Sequence, residues 1–229
     1  MMNECFIVGA GEFAKERFLP RETDYVIAAD GGYAYLEEMG IRPTLVVGDF
    51  DSLGYEPEHD NVVRHPVMKD DTDLALACKL ALENGYTKLH IFGATGGRLD
   101  HTIAAMQLLA GLAGVGAQVF LYGDGYVLTA IAAGDVSENI VKAELVFEEG
   151  YRGGISVFSN TTFSQGVTEQ GLLYTLQDAV LTSDVALGVS NSFTEERALI
   201  SVTNGALIII WYGNETMPLP VHRTETEKQ

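Results

Sequence analysis

The feature that most constrains this chain is an alternation of short apolar runs with helix-period segments that stops near Asp124. CFIV, YVIAA, TLVV, KLHIF and QVFLY are short and mostly β-branched or aromatic, as strands are. Between them YAYLEEMG ends at Gly40, with Pro43 beyond, and LALACKLALENG carries Leu74, Ala77, Cys78 and Ala81 at helical spacing before Gly85. HTIAAMQLLAGLAGVG is small and apolar nearly all round, which predicts a helix packed on both sides. A β-α-β order of this kind requires a parallel sheet with right-handed crossovers.

Beyond Asp124 the pattern is strand and turn: YVLTAI, ELVFEEG, GISVFS, GLLYTL, ALGVSNSF and ALISVTNGALIIIW. Asn204-Gly205, between two apolar runs, predicts a tight two-residue hairpin. The expected fold class is α/β. A parallel-sheet, Rossmann-like α/β domain over 1–128 is followed by an antiparallel β-sandwich domain over 129–229. The stretch after Trp211, with Pro218 and Pro220, is expected to fray.

Composition narrows the partners. A formal net charge of −18 over 229 residues argues against nucleic acid and against an anionic membrane surface. It also means that an anionic substrate needs local help, whereas a cationic one is drawn in by the general field. Cys5 and Cys78 read as small buried hydrophobes rather than a disulfide framework. The N-terminus lacks the basic and apolar regions of a signal peptide, and LIIIW is too short to span a bilayer. A cytoplasmic location is therefore expected.

Four polar clusters carry the chemistry: ADGG at 29–32, GDFDS at 48–52, KDDTD at 69–73 and GGRLDH at 96–101. Three follow a strand-like run, and ligands of parallel α/β sheets bind at the strand ends. Asp30, Asp49, Asp51, Asp73 and Asp100 would share one pocket with Lys69 and Arg98. That many carboxylates raise one another's pKa and repel, so a divalent metal carrying a phosphorylated ligand is the simplest resolution. Asp49 and Asp51, two apart on an extended chain, point the same way, while Phe50 between them turns into the core. Asp71 or Thr72 is placed to cap the helix that Asp73 opens. The Gly96-Gly97 turn exposes N–H groups suited to phosphate, and Arg98 adds a bidentate donor. Each cluster also has a plain reading as a turn or a helix cap; the set is more specific than its parts.

A competing signal lies upstream. Gly9–Ala14 matches GxGxxA, with Asp30 about 20 residues on, as in a dinucleotide site. The helix it would open meets Pro20 within two turns, and such a site has no use for four more strand-end aspartates. His59, His65, His90 and His101 lack metal-ligand spacing.

The four clusters, in this order and spacing, resemble the thiamin pyrophosphokinase family, and GLLYTL at 171–176 with GVSNSF at 188–193 extends the resemblance over roughly 28–210. The resemblance implies ATP-dependent transfer of a pyrophosphoryl group to the hydroxyl of thiamin, with Mg²⁺, in a homodimer whose sites lie at the subunit interface. By motif, Asp49, Asp51 and Asp73 would hold magnesium. Asp30, Gly31, Gly32, Lys69, Thr72, Thr95, Gly97 and Arg98 would line the ATP site. Asp100 would sit by the reacting hydroxyl, and Tyr174, Ser190 and Asn191 would hold thiamin from a second subunit. Two other readings stay open: a metal-dependent glycosyltransferase or phosphohydrolase built on Asp49-x-Asp51, and a non-catalytic thiamin or nucleotide sensor.

Overall fold

The computed structural model describes residues 4–51, 53–64, 72–214 and 216–227. It forms two compact units, Met1–Ala105 with Val119–Asp124, and Met106–Gln118 with Gly125–Gln229. The first holds strands β1 (Cys5–Val8), β2 (Tyr25–Ala29), β3 (Leu45–Gly48), β4 (Val62–Arg64), β5 (Lys88–Phe92) and β6 (Gln118–Gly123), in the order β6-β5-β1-β2-β3-β4. Pairings β5-β1, β1-β2, β2-β3 and β3-β4 are all parallel. Helices α1 (Gly32–Glu38), α2 (Asp73–Glu83) and α3 (Leu99–Gly114) follow β2, β4 and β5. The strands are short and nearly continuous in apolar residues because both faces of a parallel sheet are covered: Ile7, Ile27, Val46, Val47 and Ile91 are all fully buried. The C-terminal ends of β1 to β5 therefore lie on one edge, where the polar clusters after β2, β3 and β5 emerge.

The second unit is all β apart from the end of α3 and a short 3-10 turn. Its strands are β7 (Tyr126–Ala133), β8 (Ile140–Phe147), β9 (Gly154–Ser159), β10 (Phe163–Gln170), β11 (Leu176–Thr182), β12 (Asn191–Ser192), β13 (Ala198–Val202), β14 (Gly205–Tyr212) and β15 (Val221–Thr226). They run β12-β9-β14-β7 and β11-β10-β13-β8-β15, with every pairing antiparallel. The two layers meet where β10 and β13 touch β14 and β11 touches β9.

Several local expectations are corrected. Asn204-Gly205 does not close a hairpin: β13 pairs with β10 and β8, while β14 pairs with β7 and β9, so the turn carries the chain between layers. The residue pair supplies the turn, with Gly205 at φ +97°, but strand partners are set by distant residues. GLLYTL and ALGVSNSF are not strands; beyond Leu176, the first residue of β11, they contribute one bridge, Leu172 to Phe193, and the two residues of β12. Residues 221–226, expected to fray, form β15 against β8. Helix α3 buries its C-terminal half, but Leu99 and Ile103 at its start are exposed.

GxGxxA opens no helix; only a three-residue 3-10 turn follows, at Lys15–Arg17. Its glycines serve close packing instead. A Cβ on Gly11 would fall 2.4 Å from the Thr95 carbonyl, and the neighbouring Glu12 N–H donates to that carbonyl at 2.7 Å. His90 is a satisfied core histidine. Its Nδ1 lies 2.8 Å from the Tyr122 hydroxyl and its Nε2 2.7 Å from Glu4, and burial pushes its pKa down to about 4. Cys5 and Cys78 are buried free thiols. Among the described residues, no helix is long and apolar enough to cross a membrane.

Candidate active site

The site begins with a close approach between two strand ends. Gly48, the last residue of β3, has φ +146°, and a Cβ there would sit 3.1 Å from the Asp30 Cα. Asp30 in turn donates its N–H to the Val47 carbonyl at 2.7 Å. Only a glycine lets the ends of β2 and β3 come this near, and the contact sets Asp30 beside Asp49. Gly32 performs the same service one strand over, since a Cβ on it would lie 1.9 Å from the Val8 carbonyl.

Asp49 and Asp51 converge by a turn rather than by the extended alternation that their spacing suggests. Phe50 takes φ +64°, a conformation uncommon for a bulky residue, and buries its ring. The Asp51 N–H donates to Asp49 Oδ1 at 3.2 Å. Carboxylate oxygens of Asp30, Asp49 and Asp51 then lie within 4.8 Å of one another. Asp30 itself has φ +48°, a second left-handed residue in the same cluster. Backbone strain of this kind persists only where surrounding structure over-determines it, and it concentrates at functional sites.

Asp73 completes the charge pattern from another element. It is the first residue of α2, capped by Thr72, whose hydroxyl accepts from the Ala75 N–H at 3.2 Å. Burial, then the charges of Asp30, Asp49 and Asp51, push its carboxyl up to about 6, with His101 acting weakly in the opposite sense. A carboxyl raised first by burial and then by neighbouring carboxylates marks a pocket that favours a cation. The three converging carboxylates are hard oxygen donors of the kind that suits Mg²⁺, and the charge of Asp73 reaches them.

The glycine-rich turn lies beyond β5. Gly96 and Gly97 have φ +75° and +62° and lead into α3. Thr95 is buried, and among the described residues its hydroxyl has no hydrogen-bond partner. Arg98 and Asp100 are both exposed and paired, Nη2 to Oδ2 at 2.6 Å and Nε to Oδ1 at 3.2 Å. The Arg98 hydrogen bonds hold the Asp100 carboxyl below its usual range. Lys69 lies outside the described residues.

Tyr174, Ser190 and Asn191 come together in the second unit. Tyr174 is 66% exposed. Asn191, only 4% exposed, accepts the Tyr174 N–H at 2.9 Å and donates to the Tyr174 carbonyl at 2.6 Å. Its Oδ1 also accepts the Ser192 N–H, and its Nδ2 also donates to Glu169 Oε2 at 3.0 Å. All four hydrogen-bonding positions of the amide are thus spent within the chain. Ser190 takes φ +62° and donates its N–H to the Ser156 hydroxyl at 3.1 Å. Glu169, fully buried in β10, was invisible to sequence reasoning: TEQ at 168–170 looks like any solvated strand end.

Known proteins similar to this chain are found along both parts of its sequence. Residues 18–121 match the family model "Thiamin pyrophosphokinase, catalytic domain" and residues 144–207 match "Thiamin pyrophosphokinase, vitamin B1 binding domain". The thiamine pyrophosphokinase of Bacillus subtilis is 29% identical over 193 residues, covering 80% of this chain and 85% of the relative. The crystal structure of a Bacillus subtilis thiamine pyrophosphokinase superimposes with a TM-score of 0.78 at 27% identity, covering 93% of this chain and 100% of the other. That of the Geobacillus thermodenitrificans thiamin pyrophosphokinase gives 0.75 at 26% identity, covering 93% and 99%. The two family models between them span most of the sequence, one on each side of residue 124, and the chain belongs to the thiamin pyrophosphokinase family.

Proposed function

We propose that the carboxylate cluster of the first unit carries the reaction of the family, ATP-dependent transfer of a pyrophosphoryl group to the hydroxyl of thiamin. The observation that carries the assignment to these residues is the convergence of Asp30, Asp49 and Asp51 within 4.8 Å, with Asp73 raised to about 6 beside them. Family membership favours this reading over a glycosyltransferase, a phosphohydrolase or a non-catalytic sensor.

Asp49, Asp51 and Asp73 are assigned to Mg²⁺, with Asp30 close enough to share the ion or its water shell. The metal would neutralise phosphate charge and hold the triphosphate for in-line attack. Asp30, Gly31, Gly32, Lys69, Thr72, Thr95, Gly97 and Arg98 are assigned to ATP. The Thr95 hydroxyl, without a hydrogen-bond partner among the described residues, and the open turn at Gly97 support that side of the assignment. In the reaction the thiamin hydroxyl oxygen bonds to the β-phosphorus of ATP, the bond from that phosphorus to the α–β bridging oxygen breaks, and AMP leaves. A loose transition state of this type needs positioning and charge stabilisation more than a strong base. The Arg98 pairing makes Asp100 a weak base, which suits it to orient the hydroxyl while water takes the proton. Arg98, exposed and on a flexible stem, is suited to pair the transferring group bidentately.

Thiamin's thiazolium is cationic and planar. Tyr174 is assigned to stack on it, with Ser190 and Asn191 forming the surrounding wall. In the homodimer that the family resemblance implies, a second copy supplies these three residues. Exposed apolar side chains support a covered surface in each unit: Leu99 and Ile103 in one, Leu173, Val185 and Leu187 in the other. The deciding experiment incubates the protein with ATP, Mg²⁺ and thiamin and detects products by mass. AMP with thiamin diphosphate is the expected pair; ADP with a monophosphate, or no product, overturns the reading.

A further inference from the structure

Glu169 is a buried carboxyl with a defined task and, among the described residues, no charged partner. Its exposure is 0%, Oε2 accepts from Asn191 Nδ2 at 3.0 Å, and Oε1 has no hydrogen-bond partner among the described residues. A Cβ on Gly188 would lie 3.3 Å from Oε1, so the carboxyl fits beneath the segment that leads to Ser190. Leaving an acid here is costly, since a buried polar atom without a partner loses its water and gains nothing. Glutamate at such a position calls for a specific reason.

The reason lies two bonds away, at Tyr174. The loop at 171–175 has almost no ladder of its own. The Asn191 side chain stands in for one, taking the Tyr174 N–H and supplying a donor to the Tyr174 carbonyl. This works in one amide orientation only, with Oδ1 toward the N–H and Nδ2 toward the carbonyl. The second Nδ2 hydrogen then points inward and needs an acceptor, and Glu169 Oε2 is that acceptor. If the amide flips, Oδ1 meets two acceptors and Nδ2 meets two N–H donors.

We propose that Glu169 is a positioning residue of the acceptor site: by fixing the Asn191 amide it fixes the backbone of Tyr174, and with it the presentation of the Tyr174 ring to thiamin. The proposal rests on the assignment of Tyr174 to thiamin made above. Burial raises the Glu169 carboxyl to about 7, so near neutral pH much of it carries a proton, and glutamine is its close mimic.

The test compares Glu169→Ala with Glu169→Gln by two measurements. Hydrogen exchange reads the clamp without turnover: the amide of Tyr174 should exchange at least about tenfold faster in the alanine variant and at the wild-type rate in the glutamine variant, since one lost hydrogen bond of about 1.4 kcal/mol corresponds to tenfold. Steady-state kinetics should show the KM for thiamin raised about tenfold in the alanine variant, with kcat and the KM for ATP within about twofold, and all three restored in the glutamine variant. Unchanged exchange overturns the clamp. Faster exchange without a change in thiamin KM overturns its link to the acceptor. A glutamine variant as impaired as alanine shows that the carboxyl group itself, rather than an acceptor oxygen at this place, matters, and also overturns it. Wild-type protein that makes no thiamin diphosphate sinks the assigned reaction, whereas the exchange result stands by itself.

Discussion

At the ends of β2 and β3 three carboxylates converge within 4.8 Å and, with burial, raise a fourth; beside β12 every donor and acceptor of the Asn191 amide is already matched inside the chain. The first arrangement is a deficit. Like charges held together by glycine-permitted backbone contacts store repulsion that a bound cation relieves. The second is a closed account, in which the polar groups serve to hold an exposed aromatic side chain still. Both belong to the assigned reaction, but one is built to bind by being unsatisfied and the other by being preformed. The contrast predicts that substitutions in the two regions change different kinetic quantities.

The largest effect should come from the charge cluster. Asp49→Asn keeps an oxygen for the Asp51 N–H and removes one negative charge. Formation of AMP and thiamin diphosphate should fall by about three orders of magnitude, as loss of several kcal/mol of phosphate charge stabilisation requires. Thiamin binding measured by calorimetry should stay within about twofold. Near-wild-type turnover would break the assignment of the cluster to the metal.

Next comes the pH dependence of the closed region. Glu169 has its carboxyl raised from 4.5 to about 7 by burial. Between those values the folded protein retains a proton that the unfolded chain has released. Stability tied to this group is therefore full below about pH 4.5, falls as pH rises through 7 and levels off above. Glu169→Gln carries no such titration. The difference in unfolding free energy between the two proteins should drift by on the order of 3 kcal/mol across that window. A flat difference in denaturant titrations at pH 4.5, 6 and 8 would show that Glu169 is not buried in solution.

The same contrast explains what could be read from the sequence. Charge-bearing motifs at strand ends were legible because parallel strands send their C-terminal ends to one edge whatever their order. Runs such as YVIAA and KLHIF matched β2 and β5 residue for residue, since strands buried on both faces leave an uninterrupted apolar signature. The turn at Phe50 was not legible: nothing local distinguishes an extended Asp-x-Asp from one bent by φ +64°. In the second unit the signal was weaker still. Asn204-Gly205 reads as a hairpin locally but joins two layers, because β8 and β10 compete successfully for β13. β10 itself, FSQGVTEQ, carries a bulged register and an inward glutamate, and alternation fails to mark it. Glu169 acquires its role only through Asn191, 22 residues on and held in another strand pairing.

A smaller effect is expected at the aromatic side chain. Tyr174→Ala should raise the thiamin KM about tenfold, the scale of one stacked cation–aromatic contact, with kcat nearly unchanged. Tyr174→Phe should stay within about threefold, because the ring rather than the hydroxyl does the stacking. If the alanine variant instead lowers kcat and spares KM, Tyr174 acts on the transferring group, and the division between the two regions collapses.

The smallest effect reads the deficit directly, without any chemistry. If Asp30, Asp49 and Asp51 repel one another, Asp49→Asn should stabilise the metal-free protein, the usual relation between a charged site and the fold that carries it. A rise in Tm of about 2–4 °C in the presence of a chelator is expected for a chain of this size. Adding millimolar Mg²⁺ should then raise the Tm of the wild type by mass action and raise that of the variant much less, so that the order of the two proteins narrows or inverts. The activity of the variant does not enter this measurement, which makes it independent of the kinetic prediction. A variant less stable than wild type in chelator would mean that the Asp49 carboxylate is already compensated within the fold, and the cluster would then resemble the closed region rather than oppose it.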